Sequence, residues 1–234
     1  MITAIILARM GSSRLPGKAL MPILGRPMLE LLVERVQRSR NLKRIVLATT
    51  DQPQDNHLAA CAANLGLGVF RGSADDVLHR LSAATAAFHA DPAVVLLGDN
   101  PLVEGELVDD VLELFEAADY DFVTNVTSEY PHAPSQLPCF AIGIRVQVMS
   151  AETVIRCEQQ ATADYHREHA TTYIVDNPQR FQIGYVAASG KWSGLNRPNG
   201  FLAVNTQEDF DNLSNLIKRT AAVDPKCGLR SIVW

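Results

Sequence analysis

Short apolar runs alternate with amphipathic segments through the first half of the chain. Uncharged runs at 2–8, 45–50 and 93–97 each end at turn residues or polar residues, which is typical of buried strands. The segment 28–38 carries its apolar residues at helical spacing, as expected for a helix that packs on a sheet. Strands that alternate with helices form parallel sheets with right-handed crossovers, so the pattern predicts an α/β fold with a mostly parallel sheet and helices on both faces.

The same patterns predict the remaining elements. Further helices are predicted at 55–65, from a cap at Ser73 or Asp75 to about 89, and at 104–118, 151–161 and 207–220. Further strands are predicted at 69–70, 121–125, 139–148 (antiparallel or at an edge), 182–188 and 201–206.

The alternation stops after residue 126, where the polar stretch 128–138 contains three prolines and is expected to form a loop over a site. We interpret residues 1–234 as a single domain. Within it, 126–200 is a segment inserted before the last strand, which either covers the site or forms a dimer interface. Tyr130 and Gln136, both in the proline-rich loop, are candidate ligand-binding residues.

Composition excludes several classes of protein. A chain of 234 residues with 47% hydrophobic and 20% charged residues fits one large globular domain. The net charge of −5 gives no general reason to expect a nucleic-acid partner. Cysteines 61, 139, 157 and 227 form no C-x-x-C pair, so free thiols are expected. The chain shows no signal-peptide layout, and no apolar run approaches the roughly 20 residues of a membrane span, so we expect a cytoplasmic protein.

The loop RMGSSRLPGK (9–18) carries three cations directly after the first predicted strand. Gly and Ser allow backbone N–H groups to approach phosphate oxygens, and ligands of open α/β sheets gather outside the carboxyl ends of the strands. The loop therefore predicts a polyphosphate site, with a solvated basic turn as the alternative. No G-x-G-x-x-G follows the strand, so a dinucleotide fold is not indicated. We assign to nucleotide binding Arg9, Met10, Gly11, Ser12, Arg14 and Lys18.

Asp99 and Thr49 follow two other predicted strands. Asp99 lies between Gly98 and Asn100 after a wholly apolar run, where its carboxylate could hold Mg²⁺ against bound phosphates. An Asp in this position can also simply cap the next turn. Thr49 could contact a base or ribose, or it could be a structural residue at the strand end.

Two further clusters are weaker candidates. Arg71, Ser73 and Arg80 could face the nucleotide, although Asp76 and Arg80 are also spaced as an ordinary helical i,i+4 pair. Glu168 and His169 could contact a substrate, or they could lie on a surface helix. His166 and His169 are three residues apart with no third ligand in view, so zinc is not expected.

Six motifs occur in order along more than two hundred residues: RMGSSRLPGKAL (9–20), IVLATT (45–50), FRGSADDVLHR (70–80), LLGDNPLV (96–103), HREHATTYI (166–174) and LAVNTQEDF (202–210). Together they resemble the SpsF-like cytidylyltransferases, which are related to the CMP-Kdo and CMP-sialic acid synthetases. The set is specific to that family and does not identify a substrate.

The resemblance implies a Rossmann-like, GT-A-like nucleotidyltransferase fold, a three-layer sandwich with an inserted dimerisation or lid segment. It implies that CTP and Mg²⁺ are used and that an acidic sugar or similar anionic acceptor attacks the α-phosphate, releasing pyrophosphate. It also implies a homodimer. Arg9, Lys18 and Asp99 would be the catalytic residues and Arg14 would hold the outer phosphates. Arg71, Ser73 and Arg80 would lie near the cytidine or the acceptor. The acceptor would be bound by Arg80, Tyr130, Gln136, Glu168 and His169.

Two departures from the family pattern stand out. Asn205 occupies the place of an Asp that joins Asp99 in the metal shell, so metal binding should be weaker or shifted. The stretch 130–148 lacks the usual acidic, Gly-containing motif, so we expect a changed acceptor pocket. Two alternatives stay open at this point: a nucleotidyltransferase or glycosyltransferase that uses another nucleotide, and a nucleotide-binding homologue with impaired catalysis. No D-x-D metal motif stands at the carboxyl end of a predicted strand, which argues against the glycosyltransferase.

Overall fold

The computed structural model describes residues 1–131, 133–134, 136–224, 226 and 228–232. Cys227 and part of the proline-rich loop lie outside the described residues. The strands are β1 (Thr3–Leu7), β2 (Pro22–Ile23), β3 (Arg26–Pro27), β4 (Arg44–Thr50), β5 (Gly68–Gly72), β6 (Ala93–Leu97), β7 (Phe122–Asn125), β8 (Gln147–Met149) and β9 (Ile183–Val186).

The main sheet has seven strands in the order β5-β4-β1-β6-β8-β7-β9. β4, β1 and β6 run parallel, with Ile5 between Val46 and Val95. β8 runs antiparallel to both of its neighbours, β6 and β7, while β9 pairs in parallel with β7 at the edge. The mostly parallel sheet predicted from the alternation is confirmed, with one reversed strand in its interior.

Helices cover both faces of the sheet. They are α1 (Met28–Val36), α2 (Asn56–Asn64), α3 (Val77–Ala87), α4 (Gly105–Glu116), α5 (Ala151–Gln160), α6 (Asp164–Glu168), α7 (Thr172–Asp176) and α8 (Gln207–Val223). Alternate residues of β1 divide between two buried clusters: Ala4 and Ile6 pack with α1, α2, α4 and α8, and Ile5 and Leu7 pack with α3, α5 and α7. This is the predicted three-layer sandwich. No helix in the described part of the chain is long and apolar enough to cross a bilayer.

The predicted strand at 201–206 is wrong. Residues 201–205, here called the crossing segment, form only a single bridge between Phe201 and Ile142. Leu202 N–H donates to Ile142 O at 2.7 Å, and Val204 N–H donates to Asp99 O at 2.9 Å. Leu202, Ala203 and Val204 are buried because the segment crosses the end of the sheet instead of extending it, while Phe201 is exposed.

The prediction at 139–148 is partly wrong. The strand is antiparallel as predicted, but it is short, begins at Gln147 and lies inside the sheet, not at an edge. Just before this strand, the backbone is hydrogen-bonded by the side chain of buried Asn125. Asn125 Oδ1 accepts from Val146 N–H at 2.7 Å, and Nδ2 donates to Ile144 O at 2.6 Å. Gly143, at φ +96°, marks the bend.

The segment 126–200 contributes to two parts of the molecule. Its strands β8 and β9 complete the main sheet, and α5 and α7 cover one face of that sheet. Its treatment as a separate inserted unit stays a prediction. The cap of α3 is neither of the predicted residues: Asp76 accepts from His79 N–H at 2.8 Å.

Candidate active site

A cavity of about 610 Å³ opens at the carboxyl ends of β1 and β6, beside the amino end of β8. Its walls come from the basic loop, residues 95–99, the start of the proline-rich loop, residues 145–147, the region of α6 and α7, and Asn205. The volume is within the range of small-molecule sites. Its position follows from topology, because parallel strands present their carboxyl ends, and the loops that follow them, at one edge.

Lys18 and Asp99 form the centre of the cavity. Lys18 Nζ lies 2.9 Å from Asp99 Oδ2 and also donates to Val204 O at 2.7 Å. The ammonium group is therefore fixed where the basic loop, the end of β6 and the crossing segment meet. Both side chains are mostly buried, at 14% and 24% exposure, which strengthens their electrostatic interaction.

Asp99 and Asn205 both line the cavity, and the hydrogen bond from Val204 N–H to Asp99 O holds their backbones together. Asn205 Oδ1 accepts from Arg14 Nη2 at 3.1 Å. Among the described residues, no group of three His, Cys, Asp or Glu side chains is placed to hold a metal ion. One carboxylate and one amide oxygen are nevertheless suitable donors for Mg²⁺, because Mg²⁺ takes few protein ligands and completes its shell with water and substrate phosphates.

The basic loop is anchored from below by Asp55, which the sequence reasoning missed. This fully buried carboxylate accepts from Met10 N–H at 2.6 Å and from the hydroxyl of Thr50. Ser12 lines the cavity, whereas Met10 and Gly11 do not. Met10 shapes the loop through its backbone, since its carbonyl accepts hydrogen bonds from Ser12 and Gly17 at 2.9 Å. The sequence feature that could have indicated Asp55 is its place as the second acid of the segment DQPQD, which follows a predicted strand.

Two arginines occupy the wall nearest α3. Arg9 Nη1 donates to Ala74 O at 2.6 Å, and its Nη2 lies 4.0 Å from Glu168 Oε1. Arg80 is 2% exposed and donates to Ser73 O. Burial, and then the neighbouring charge of Arg9, lowers the pKa of Arg80 to about 10, so it remains charged at neutral pH. Two guanidinium groups on one wall suit a polyanion.

Several predicted ligands do not line the cavity. Thr49 is fully buried, and Gln136 is exposed on the proline-rich loop. Arg71 donates to Thr50 O at 2.9 Å and so braces the end of β4. Ser73 Oγ accepts from Asp76 N–H at 3.0 Å. The assignment of these four positions to ligand binding stays a prediction.

Arg167 belongs to the framework, because its Nη2 pairs with Asp76 Oδ2 at 2.5 Å. Asp76 therefore has a cross-helix partner besides its own turn of α3.

Tyr130, Glu168 and His169 do line the cavity, and Glu168 faces Arg9 of the basic loop. Three neighbours there escaped the sequence reasoning: Arg145, Gln147 and Thr171. Gln147 Nε2 donates to both Tyr130 Oη and Thr171 Oγ1 at 2.9 Å. Burial raises the pKa of Tyr130, which stays a neutral hydroxyl. Arg145 contacts Glu129 and lies over the Tyr130 ring at 5.9 Å.

Residues 3–221 of the chain match the model of a protein family that is described as cytidylyltransferase. The chain belongs to the cytidylyltransferase family. The predicted relationship is therefore confirmed, and with it the prediction of a nucleotidyltransferase that uses CTP.

Individual cytidylyltransferases and their relatives agree with this assignment. The chain is 32% identical over 225 residues to the spore coat polysaccharide biosynthesis protein SpsF of Bacillus subtilis, covering 93% of this chain and 87% of that protein. A cytidylyltransferase structure from Leptospira borgpetersenii superimposes with a TM-score of 0.82 at 25% identity, covering 100% of this chain and 98% of the other. A CMP:2-keto-3-deoxy-manno-octonic acid synthetase, solved with CTP, superimposes with a TM-score of 0.68 at 18% identity, covering 94% and 99%.

Proposed function

We propose that this cytidylyltransferase transfers CMP from CTP to an anionic, sugar-type acceptor and releases pyrophosphate. The observation that carries the proposal is the position of Lys18, held between Asp99 and the crossing segment inside a cavity of nucleotide size. An acceptor oxygen would form a bond to the α-phosphorus of CTP while the bond from that phosphorus to the bridging oxygen breaks. Pyrophosphate takes the bonding electrons, and the acceptor's proton passes to water.

The cations of the chain suit this reaction. Phosphoryl-type transfer needs alignment of the attacking oxygen and neutralisation of charge more than covalent help from the protein. Lys18 would neutralise charge on the α-phosphate and Arg9 the charge on the leaving group, while Arg14 would hold the outer phosphates. Arg14 and Lys18 belong to one anchored loop, so their spacing is set before substrate arrives.

Asp99 and Asn205 would hold a Mg²⁺ ion brought in with the nucleotide. When bound, the ion supplies charge neutralisation at the phosphate oxygens. The chain provides one carboxylate here where the family pattern provides two, and Arg14 already contacts the amide of Asn205. We therefore propose a dependence on Mg²⁺ with a weak intrinsic affinity for the ion.

The relatives support the acceptor class. SpsF is named for polysaccharide biosynthesis, and the synthetase solved with CTP is named for an acidic sugar. Acidic sugars or similar hydroxylated anions are therefore the proposed acceptors. A homodimer and a cytoplasmic location stay predictions.

The test is pyrophosphate release from the purified protein with Mg²⁺, each of the four common nucleoside triphosphates, and a panel of acidic sugars, phosphonates and neutral polyols. We expect release with CTP and an anionic acceptor. Lys18→Met should abolish most of that release, whereas Lys43→Met, at an exposed lysine, should not. Equal release with ATP or GTP would contradict the proposal, as would CTP binding without release for any acceptor.

A further inference from the structure

Arg145 is a mostly buried cation that lines the cavity, and the proposed reaction gives it no role so far. We propose that Arg145 binds the anionic group of the acceptor, and that Glu129 occupies the guanidinium until the acceptor arrives. This inference rests on the proposed function and assigns the acceptor subsite within it. The acceptor class is a hydroxylated compound with a carboxylate or a phosphonate.

The position of Arg145 follows from the reversed direction of β8. Gln147 pairs with Val95 of β6, and the antiparallel register continues towards Arg145 and Leu97, two residues before Asp99. Arg145 and Leu97 both line the cavity. An anion on this guanidinium would therefore lie next to the place where the α-phosphate meets Asp99 and Lys18.

The backbone on both sides of Arg145 is fixed by buried polar side chains. Asn125 bonds to Ile144 O and to Val146 N–H, and Thr124 Oγ1 donates to Val146 O at 3.0 Å. Asn125 and Thr124 are fully buried. A side chain on a fixed backbone loses less conformational freedom when it binds an anion than one on a mobile loop, which favours a binding site over a surface ion pair.

The Arg145 guanidinium has only part of its hydrogen-bonding capacity filled by the described residues. Glu129 contacts it, but Nε is buried and has no hydrogen-bond partner among the described residues. Burial disfavours the charge, yet Tyr130, Glu129 and Asp99 together hold the pKa of Arg145 above its usual value. The group is thus a permanent, mostly buried cation, and such a cation needs an anion beside it.

Glu129 is the anion that can move away. Its side chain is 35% exposed, against 19% for Arg145, and it lies at the start of the proline-rich loop, outside the sheet. The Glu129 side chain can rotate towards solvent when a substrate anion takes its place. The charge of Arg145 therefore stays compensated both with and without the acceptor. Glu129 therefore competes with the acceptor.

Gln147 adds a preference for hydroxyl groups. Both N–H bonds of its amide are used by Tyr130 and Thr171, so its carbonyl oxygen is the atom left to accept a hydrogen bond from a ligand. Gln147 and Arg145 are two residues apart, so in extended backbone their side chains lie on the same face of the sheet. One recognises a hydroxyl and the other an anion, which together describe a hydroxy acid.

The experiment is calorimetric titration of the 234-residue protein, saturated with α,β-methylene CTP. The probes are 3-deoxy-manno-octulosonate, N-acetylneuraminate, 2-hydroxyethylphosphonate and neutral mannitol, so the carboxylate and phosphonate arms are separated. At least one anion should bind 10-fold or more tightly than mannitol. Arg145→Gln should weaken that binding at least 10-fold and Arg145→Lys less, whereas Glu129→Gln should tighten it several-fold. The exposed arginine variant Arg44→Gln is the control.

The opposite signs expected for the two members of one ion pair separate substrate binding from a structural role. Weaker anion binding in both variants would overturn the inference, and so would equal binding of mannitol or no binding of any anion. Affinity for the CTP analogue, measured in the same samples, should change less than twofold in all variants. Loss of CTP binding in the wild type would instead refute the proposed function.

Discussion

Arg14 Nη2 donates to Asn205 Oδ1 across 3.1 Å, and so a loop cation contacts the position where the family resemblance predicts a metal-binding acid. The Asn205 amide carries no charge, so the proposed metal site holds one carboxylate among the described residues, that of Asp99. A divalent ion is consequently attracted less strongly than in a site with two acids.

Asn205→Asp should restore that second acid. We expect the Mg²⁺ concentration for half-maximal pyrophosphate release to fall about 3- to 10-fold, because another carboxylate faces the ion. The measurement is a metal titration at saturating CTP. Asn205→Ala serves as the comparison and should raise the requirement for Mg²⁺. An unchanged titration in both variants would place Asn205 outside the metal shell.

Lys18→Met should reduce kcat roughly 10²- to 10³-fold, because a preorganised donor facing the reacting phosphate is removed. Lys18→Arg should recover only part of the loss, since a planar guanidinium does not reproduce the contacts of one ammonium group with both Asp99 and Val204. Steady-state kinetics with CTP gives the ratio. A loss confined to KM would show that Lys18 binds substrate and transition state equally.

Arg80→Met should separate stability from activity. Arg80 is a nearly fully buried cation with an unpartnered Nε among the described atoms, and the nearby charge of Arg9 opposes its own. Replacing such a group with an apolar side chain of similar length is often neutral or stabilising. We expect a melting temperature that is unchanged or a few degrees higher, together with weaker CTP binding. A large fall in melting temperature would mean that Arg80 serves the fold.

Gly143→Ala should destabilise the protein by about 3 kcal/mol or more, because φ is +96° and an added Cβ would lie 2.1 Å from Ala203 N. Denaturant unfolding measures the change. Gly194→Ala is the matched control: no atom lies within 4 Å of its added Cβ, and the expected change is within about 0.5 kcal/mol. Similar values for both variants would contradict the tight approach of the crossing segment.

The sequence predicted the cavity wherever a candidate residue directly follows an apolar strand. The strands before Arg9 and Asp99 are apolar runs with abrupt polar ends, so both the elements and their common edge could be predicted. The brief apolar run at 201–206 was misleading, because periodicity reports burial and does not distinguish a strand from a segment that crosses the end of a sheet.

The proposed acceptor side could be predicted only in part: Tyr130, Glu168 and His169 line the cavity, whereas Arg145 was missed. Arg145 lies before a three-residue strand whose direction is opposite to that of its neighbours, and Asn125, which fixes its backbone, is twenty residues away in sequence. Neither the antiparallel direction of β8 nor the contact of Asn125 with Ile144 produces a recognisable pattern in the nearby sequence. Asp55 escaped in the same way, because an acid near a helix start is ordinary until its bond to Met10 is seen.

The reversed strand β8 has a consequence for how this enzyme can diversify. Under the proposed assignment, the nucleotide meets the carboxyl ends of parallel strands, whereas the acceptor meets the amino end of a strand that runs the other way. Substitutions just ahead of Gln147 would then exchange one sugar or acid for another without disturbing the loop at Arg9–Lys18. With that arrangement, the two substrate preferences are encoded by separate stretches of the gene and can change independently.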